Sequence, residues 1–384
     1  MEKRHILQSA LSATIILGIS TALFLYTAGF RISKKSDSTI DITRTGIVGA
    51  KSIPEAASVY LDDKLTTATN DTVSGLTPGI HTLKIVKKGF VEWKKDVEVF
   101  PELVTDITAV LVSQTPRLEP LTNTGAKYPS ISPTLSKLAY FSADGETPGV
   151  WVIPFGNSGL SLFRATPSVV LKDSRYTKYS SGVSIEWSPD EKKLLVEGES
   201  KTFYIVDLET NTAQSTSTPE TIRKEWDQAL IQKRTDFVEK LDVPSEIKEK
   251  AIAMDSSWSP DEKKVLYTVK SNGINEYRVY NMEKPIPVGE KVETVVFTTN
   301  ASDPQPKVSW YSDSFHLILT QITNVQENKG SIKLIRIDGT NETEVYNNTL
   351  FSDMVFSAPG GDKMIILTSF KSGERTDLYT IGIR

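Results

Sequence analysis

Three histidines, His5, His81 and His316, are the only side chains of this 384-residue sequence that titrate near neutrality in their ordinary state, and there is no cysteine at all. A nucleophilic triad needs a histidine poised between an acid and a nucleophile. His5 instead precedes an apolar run, His81 sits in an alternating strand pattern, and His316 lies between Phe315 and Leu317. No Gly-x-Ser-x-Gly elbow occurs. Gly360-Gly361 has the spacing of a hairpin turn, not of a phosphate loop. The acidic pairs Asp62-Asp63, Asp190-Glu191 and Asp261-Glu262 occupy turn positions, and no oxygen-rich calcium loop accompanies them. Lack of cysteine removes disulfides, thiolate chemistry, iron–sulfur clusters and cysteine-bound zinc. These residues predict a protein that is not an enzyme, with no catalytic residue, no cofactor and no metal, and they leave the binding residues unassigned.

Composition is that of an ordinary globular chain, with 39% hydrophobic and 24% charged residues. A net charge of −4, with 48 acidic and 44 basic residues interspersed, gives no basic stripe for nucleic acid. The length allows two or three domains.

The amino terminus is the first element that must position the rest. Ile6 to Phe30 is free of charge, and is bounded by Lys3-Arg4 on one side and by Arg31, Lys34 and Lys35 on the other. Spanning a bilayer takes roughly 20 mainly apolar residues, so 6–30 reads as a transmembrane helix after a tail at 1–5 and before a linker at 31–45. A cleaved signal peptide is the competing reading, since Thr27-Ala28-Gly29 supplies small residues, although its apolar region is usually about 7–15 residues. The flanking charges leave orientation open.

Residues 46–112 read as a strand-rich module. Ser58 to Leu61 leads into the Asp62-Asp63-Lys64 turn, and Leu76-Thr77-Pro78-Gly79 makes a second turn. Residues 80–87 then alternate with the period of a strand. The order Ile53-Pro54-Glu55-Ala56-Ala57, Val59-Tyr60-Leu61-Asp62-Asp63, Leu76-Thr77-Pro78-Gly79, Lys87-Lys88-Gly89-Phe90 and Trp93 resembles the PEGA domain of bacterial surface and membrane-associated proteins. Ala56 stands where that family's name-giving glycine is expected. The resemblance implies a binding or spacer module and brings no catalytic residues.

The strongest internal signal is a heptapeptide, Trp187-Ser188-Pro189-Asp190-Glu191-Lys192-Lys193, repeated letter for letter at 258–264. Weaker copies begin at Ile131, Trp310 and Phe356, and each runs into an apolar strand. The five starts are separated by 56, 71, 52 and 46 residues, near the period of propeller blades. The common position of Trp187, Trp258 and Trp310 reads as core packing between blades rather than as a carbohydrate platform. The pattern resembles the PD40, or WD-like, β-propeller repeats of the Tol system's periplasmic protein. It implies an all-β propeller over 117–384 with five blades, a sixth remaining open, and Arg117 to Leu121 closing the ring against Asp377 to Ile383. Pro219 to Ala253 breaks the pattern with helical spacing of Ile222, Trp226, Leu230 and Ile231, then Phe237, Val238 and Leu241. A short helix restarts at Pro244-Ser245-Glu246.

The expected function is a membrane-anchored, extracytoplasmic binding or scaffold protein whose propeller meets a protein or a cell-envelope glycan. The alternatives are an envelope hydrolase (a peptidase or glycan hydrolase) and a regulatory subunit of a membrane complex. The membrane itself, through the amino-terminal helix, is the other expected partner.

Overall fold

In a computed structural model of the chain, residues 2–27, 29–34, 40–155, 166–369 and 375–383 are described. Ala28 and Lys35, used above to frame the amino-terminal segment, lie outside the described residues, as does the side chain of His5. Two units emerge, one made of Met1–Lys88, Glu92–Leu111 and Pro287–Glu290, the other of Gly89–Val91, Val112–Ile286 and Lys291–Arg384.

The first unit begins with helix α1, Glu2–Thr27. It starts earlier and stops earlier than the apolar run alone indicates, because the chain from Phe30 onward forms a strand. Phe30–Lys34 pairs antiparallel with Ile40–Arg44, in the segment read from sequence as a linker. Large apolar side chains on every side of α1 are exposed, among them Leu11, Ile16, Leu17, Leu23 and Phe24. Among the described residues, no helix is long and apolar enough to cross a membrane.

Beyond α1, period-two alternation produces two small sheets. Gly46–Ile53 pairs antiparallel with Asp71–Leu76 and parallel with Val104–Val110. Ser58–Leu61 lies between Lys64–Ala68 and Gly79–Val86, and Trp93–Val99 completes that sheet. Val59, Leu61, Leu83, Ile85, Trp93, Val97 and Val99 point inward and are buried, as alternation requires. Asp62 and Asp63 both have positive φ, 50° and 62°, the signature of a two-residue type I′ hairpin whose twist suits the flanking strands.

Among the described residues, the second unit holds five four-stranded antiparallel sheets. Four are meanders in chain order, at 126–172, 184–216, 257–300 and 307–349. Each repeat landmark falls on or beside an inner strand: Ala126–Ile131, Ser184–Trp187, Ser257–Trp258, Lys307–Trp310 and Phe356–Ser357. The fourth strand of the second meander, Thr212–Thr216, carries too few apolar residues to stand out in the sequence. The fifth sheet takes its outer strand from the start of the unit: Leu118–Pro120 pairs antiparallel with Tyr379–Ile381. Ala126, Leu138, Tyr140 and Ile153 of the first sheet share a core with Phe356, Ile365 and Leu378 of the fifth. The two ends of the array are thus packed against each other.

Helix α2, Pro219–Val238, and helix α3, Ser245–Ile252, separate the second and third sheets in the chain. Proline at the first position of α2 suits a helix start, where no amide partner is lost. Val238, Ile247 and Ala251 are buried against Val265, Tyr267 and Tyr280 of the third sheet, so the insertion shares a core with that sheet.

Ala56 takes φ 59°, a left-handed conformation that glycine adopts without strain, and its side chain is exposed. Ala56→Gly therefore relieves strain without removing packing, and is expected to stabilise the first unit by about 0.5 kcal/mol, a gain reduced by glycine's greater freedom when unfolded. Amide hydrogen exchange of the first unit's strands at 79–86 and 93–99 in urea reads the change; a variant less stable than the parent overturns the expectation.

Candidate functional site

The two identical heptapeptides fold identically. In each, the serine hydroxyl accepts from the backbone N–H of the last lysine at 2.9 Å and donates to the aspartate, at 2.6 Å for Ser188–Asp190 and 2.5 Å for Ser259–Asp261. The glutamate N–H donates to the serine carbonyl at 2.9 Å in both copies. Proline at the second turn position presets φ, and the glutamates accept positive φ, 58° at Glu191 and 56° at Glu262. The acidic pairs are turn residues, as their positions indicate, and the glutamates also carry contacts between elements.

Glu191 accepts from the Thr134 N–H at 2.6 Å and the Ser136 hydroxyl at 2.9 Å, joining the second sheet's turn to the first's. Burial pushes its carboxyl up, but these hydrogen bonds outweigh it and hold the group below its ordinary value. Glu262, its counterpart, instead pairs with Lys233 of α2 at 2.7 Å. The tryptophans diverge in the same way. Trp187 and Trp310 donate their indole N–H to carbonyls of the preceding sheet, Ser130 at 3.0 Å and Ser257 at 3.1 Å. Trp258 donates to the Ala251 carbonyl at the end of α3, at 2.8 Å. Lys193 is exposed, whereas Lys264 is fully buried, with Asp261 and Glu283 each at 3.1 Å and the Phe315 ring 4.2 Å from its ammonium.

Helix α2 is fastened over this face at two places. The Arg223 guanidinium grips Glu186 of the second sheet through Nε, at 3.0 and 3.1 Å, and through Nη2 at 2.6 Å. Further along, Arg234 donates to the carbonyls of Ala253, at 2.7 Å, and Ser256, at 3.3 Å. Burial lowers the Arg234 pKa. Phe237 meets the Trp258 ring edge to face at 5.4 Å. Between these fastenings the helix leaves a groove of about 660 Å³. Trp226, Leu230 and Phe237 line its helix side, and Trp187, Pro189, Trp258 and Pro260 line the other. A second cavity, of about 500 Å³, lies among the inner strands and shares Glu186, Trp187, Trp258 and Pro260 with the groove.

Trp310 is buried, but Trp187 and Trp258 are half-buried and give part of their surface to the groove, a departure from purely internal packing. Neither described histidine side chain lines it. His316 is buried, with Nδ1 2.6 Å from Asp313. His81 belongs to the first unit, where Nδ1 lies 2.7 Å from Asp62 and Nε2 2.8 Å from the Thr77 carbonyl. Among the described residues, no group of three or more histidine, aspartate or glutamate side chains could hold a metal. Glu186, Arg223 and Arg234 went unnoticed in the sequence, because an ion pair across 37 residues leaves no local pattern. One signal was available: the two undegenerate heptapeptides are the copies that flank the insertion.

Comparison with known proteins adds the following. Residues 45–115 match the PEGA domain family. No curated protein matches the chain. Among solved structures, the chain is similar to TolB from Acinetobacter baumannii, with 14% identity, 79% of this chain and 59% of that chain covered, and a TM-score of 0.26. It is similar to a putative TolB from Agrobacterium tumefaciens, with 9% identity, coverages of 88% and 99%, and a TM-score of 0.25. A third likeness is to the Cps50 (Swd1) beta-propeller domain of Myceliophteria thermophila, with 11% identity, coverages of 70% and 86%, and a TM-score of 0.27. The chain spans 59% of the length of the first of these.

Two outcomes are expected. Lys264→Ala opens a buried gap beside Glu283 and the Phe315 ring and should cost about 2 kcal/mol, whereas Lys193→Ala, at the same heptapeptide position, should stay within about 0.5 kcal/mol; equal effects in chemical denaturation would contradict the asymmetry. The second concerns pH. The His81 hydrogen bond holds Asp62 below 3.8, so that contribution is complete above this value and fades as pH falls. Burial acts to lower the His81 pKa, but Asp62 and the Thr77 carbonyl raise it above 6.5, so that contribution is complete below this value and fades as pH rises. The pair supports the first unit most between roughly pH 4 and 6.5. Thermal midpoints of His81→Gln should lack the decline that the parent shows above that window, and identical pH profiles would refute the assignment.

Proposed function

We propose that the chain is a non-enzymatic binding protein: the five sheets are blades of a β-propeller closed by Leu118–Pro120, and the groove under α2 is its binding site. The observation that carries this reading is the groove itself, walled on both sides by aromatic and proline side chains and joined to the cavity among the inner strands. Ligand sites are concave, mainly apolar and few per protein, and this one has a rigid floor of hydrogen-bonded turns. Its carboxylates and cations include no histidine, serine and acid set such as acyl transfer needs. A peptidase of the serine–histidine type therefore has no base to place at the reacting bond.

The exposed apolar side chains of α1 favour a lipid-facing role for that helix. The PEGA match at 45–115 is in keeping with a surface module placed after it. In this reading the amino-terminal segment tethers the chain and the propeller faces the exterior. A regulatory role within a membrane complex would use the same display.

The test is sedimentation of the full chain with isolated cell envelopes, alongside protease treatment of intact cells. Envelope binding that falls about tenfold in Trp226→Ala with unchanged thermal stability is the expected result. Loss of the carboxyl-terminal region from protease-treated intact cells is expected as well. Binding indifferent to the groove variant would sink the site, and protection until lysis would sink the exterior placement.

A further inference from the structure

We infer that the groove under α2 takes a neutral chain of pyranose sugars whose ring substituents are equatorial, held between its two apolar walls. This rests on the binding reading above and adds the ligand's chemistry.

The groove has an aromatic side on the helix, from Trp226, and another on the sheet turns, from Trp187 and Trp258, with Pro189 and Pro260 beside them; Phe237 closes one end against Trp258. A ring held between two such walls must be apolar on both faces. A pyranose with equatorial substituents presents axial C–H groups above and below, and these meet the negative face of an aromatic ring favourably. An axial hydroxyl spoils one of the two faces. Its polar atom would then be pressed against carbon without a partner.

Glu186 is closed by Arg223 and Glu262 by Lys233. What remains is Asp227 and Asp236 against Arg234 and Lys240, so the lining balances. A polyanion or a polycation finds no complementary field there, whereas sugar hydroxyls both donate and accept. They can bond to exposed carboxylates and to an ammonium alike.

A proline-rich peptide is the other occupant that aromatic walls attract. An extended peptide brings backbone carbonyls that need donors. The indole N–H groups of Trp187 and Trp258 are already committed to the carbonyls of Ser130 and Ala251. These side chains therefore offer the groove carbon surface and no donor, which is what a sugar face requires. The volume, about 660 Å³, lies within the usual range for ligand sites.

The test uses the full chain in a sugar-free detergent, with cellotetraose, tetra-N-acetylchitotetraose, β-1,4-galactotetraose and a proline octapeptide as probes. Calorimetry and tryptophan fluorescence should show saturable binding of at least one of the first two. That binding should exceed the galactose chain's by about tenfold, and Trp226→Ala should weaken it by about tenfold. Asp227→Asn, an exposed substitution that leaves the fold undisturbed, should weaken it as well. Absence of binding by both all-equatorial sugars, equal binding of the galactose chain, or binding of the proline peptide in their place overturns the inference. If envelopes still bind through the groove in any of those cases, the binding reading survives and only the sugar fails. If the groove variants leave envelope binding untouched, both fall.

Discussion

The pairing of Leu118–Pro120 with Tyr379–Ile381 is the constraint on which the second unit depends. Four of its sheets are complete in local sequence, but the fifth has only three strands until the segment some 260 residues upstream returns to it. Around this seam, Thr122 donates its hydroxyl and Gly125 its N–H to Asp377, both at 2.9 Å, and Leu378 donates its N–H back to the Thr122 hydroxyl at 2.9 Å. The first and fifth sheets then share one buried core. Without the seam, the fifth sheet would show an unpaired edge and that core would face water, two liabilities at once.

Closure fixes where every inner strand ends, and so where the turns project. The insertion uses that platform. Its rear is built as core, through Val238, Ile247 and Ala251, while its middle is carried on polar contacts to Glu186 and to the carbonyls near Ser256. A helix packed flat would have left no space beneath it. The surface ion pairs at its rim contribute little stability individually; their geometric role is to hold the helix at a distance from the tryptophans. The groove exists because α2 is anchored at its end and propped along its length.

Much of this was legible because it is local. The repeat period located the inner strands, the alternation at 80–87 located a strand of the first unit, and Pro219 with its helical stripe located α2. The positive φ at Ala56 could be anticipated from the glycine the family pattern expects there. The closing strand near Arg117 to Leu121 was anticipated from the propeller resemblance, whereas an outer strand such as Thr212–Thr216 was not legible, since a strand facing solvent need not be apolar. The strand pair at Phe30–Lys34 and Ile40–Arg44 was missed because the basic residues around it read as a flank. The exposure of Trp187 and Trp258 was missed for a different reason: the repeat predicts where an aromatic sits, but not what lies above it.

The two heptapeptides mark the boundary between these kinds of information. Their sequence alone sets the turn, because the serine and aspartate side chains accept the N–H groups of the two following lysines and the serine carbonyl accepts that of the glutamate, and the hydrogen bonds agree to about 0.1 Å between copies. Everything beyond the turn is set by what packs against it. The same lysine is exposed at 193 and sealed at 264, and the same glutamate bonds a neighbouring turn at 191 and a helix at 262. The same indole N–H reaches a neighbouring sheet at 187 and a helix end at 258. Local hydrogen bonding is short in range and repeats with the letters. Burial, charge pairing and access to the groove depend on residues far away in the chain, and those differ on the two sides of the insertion.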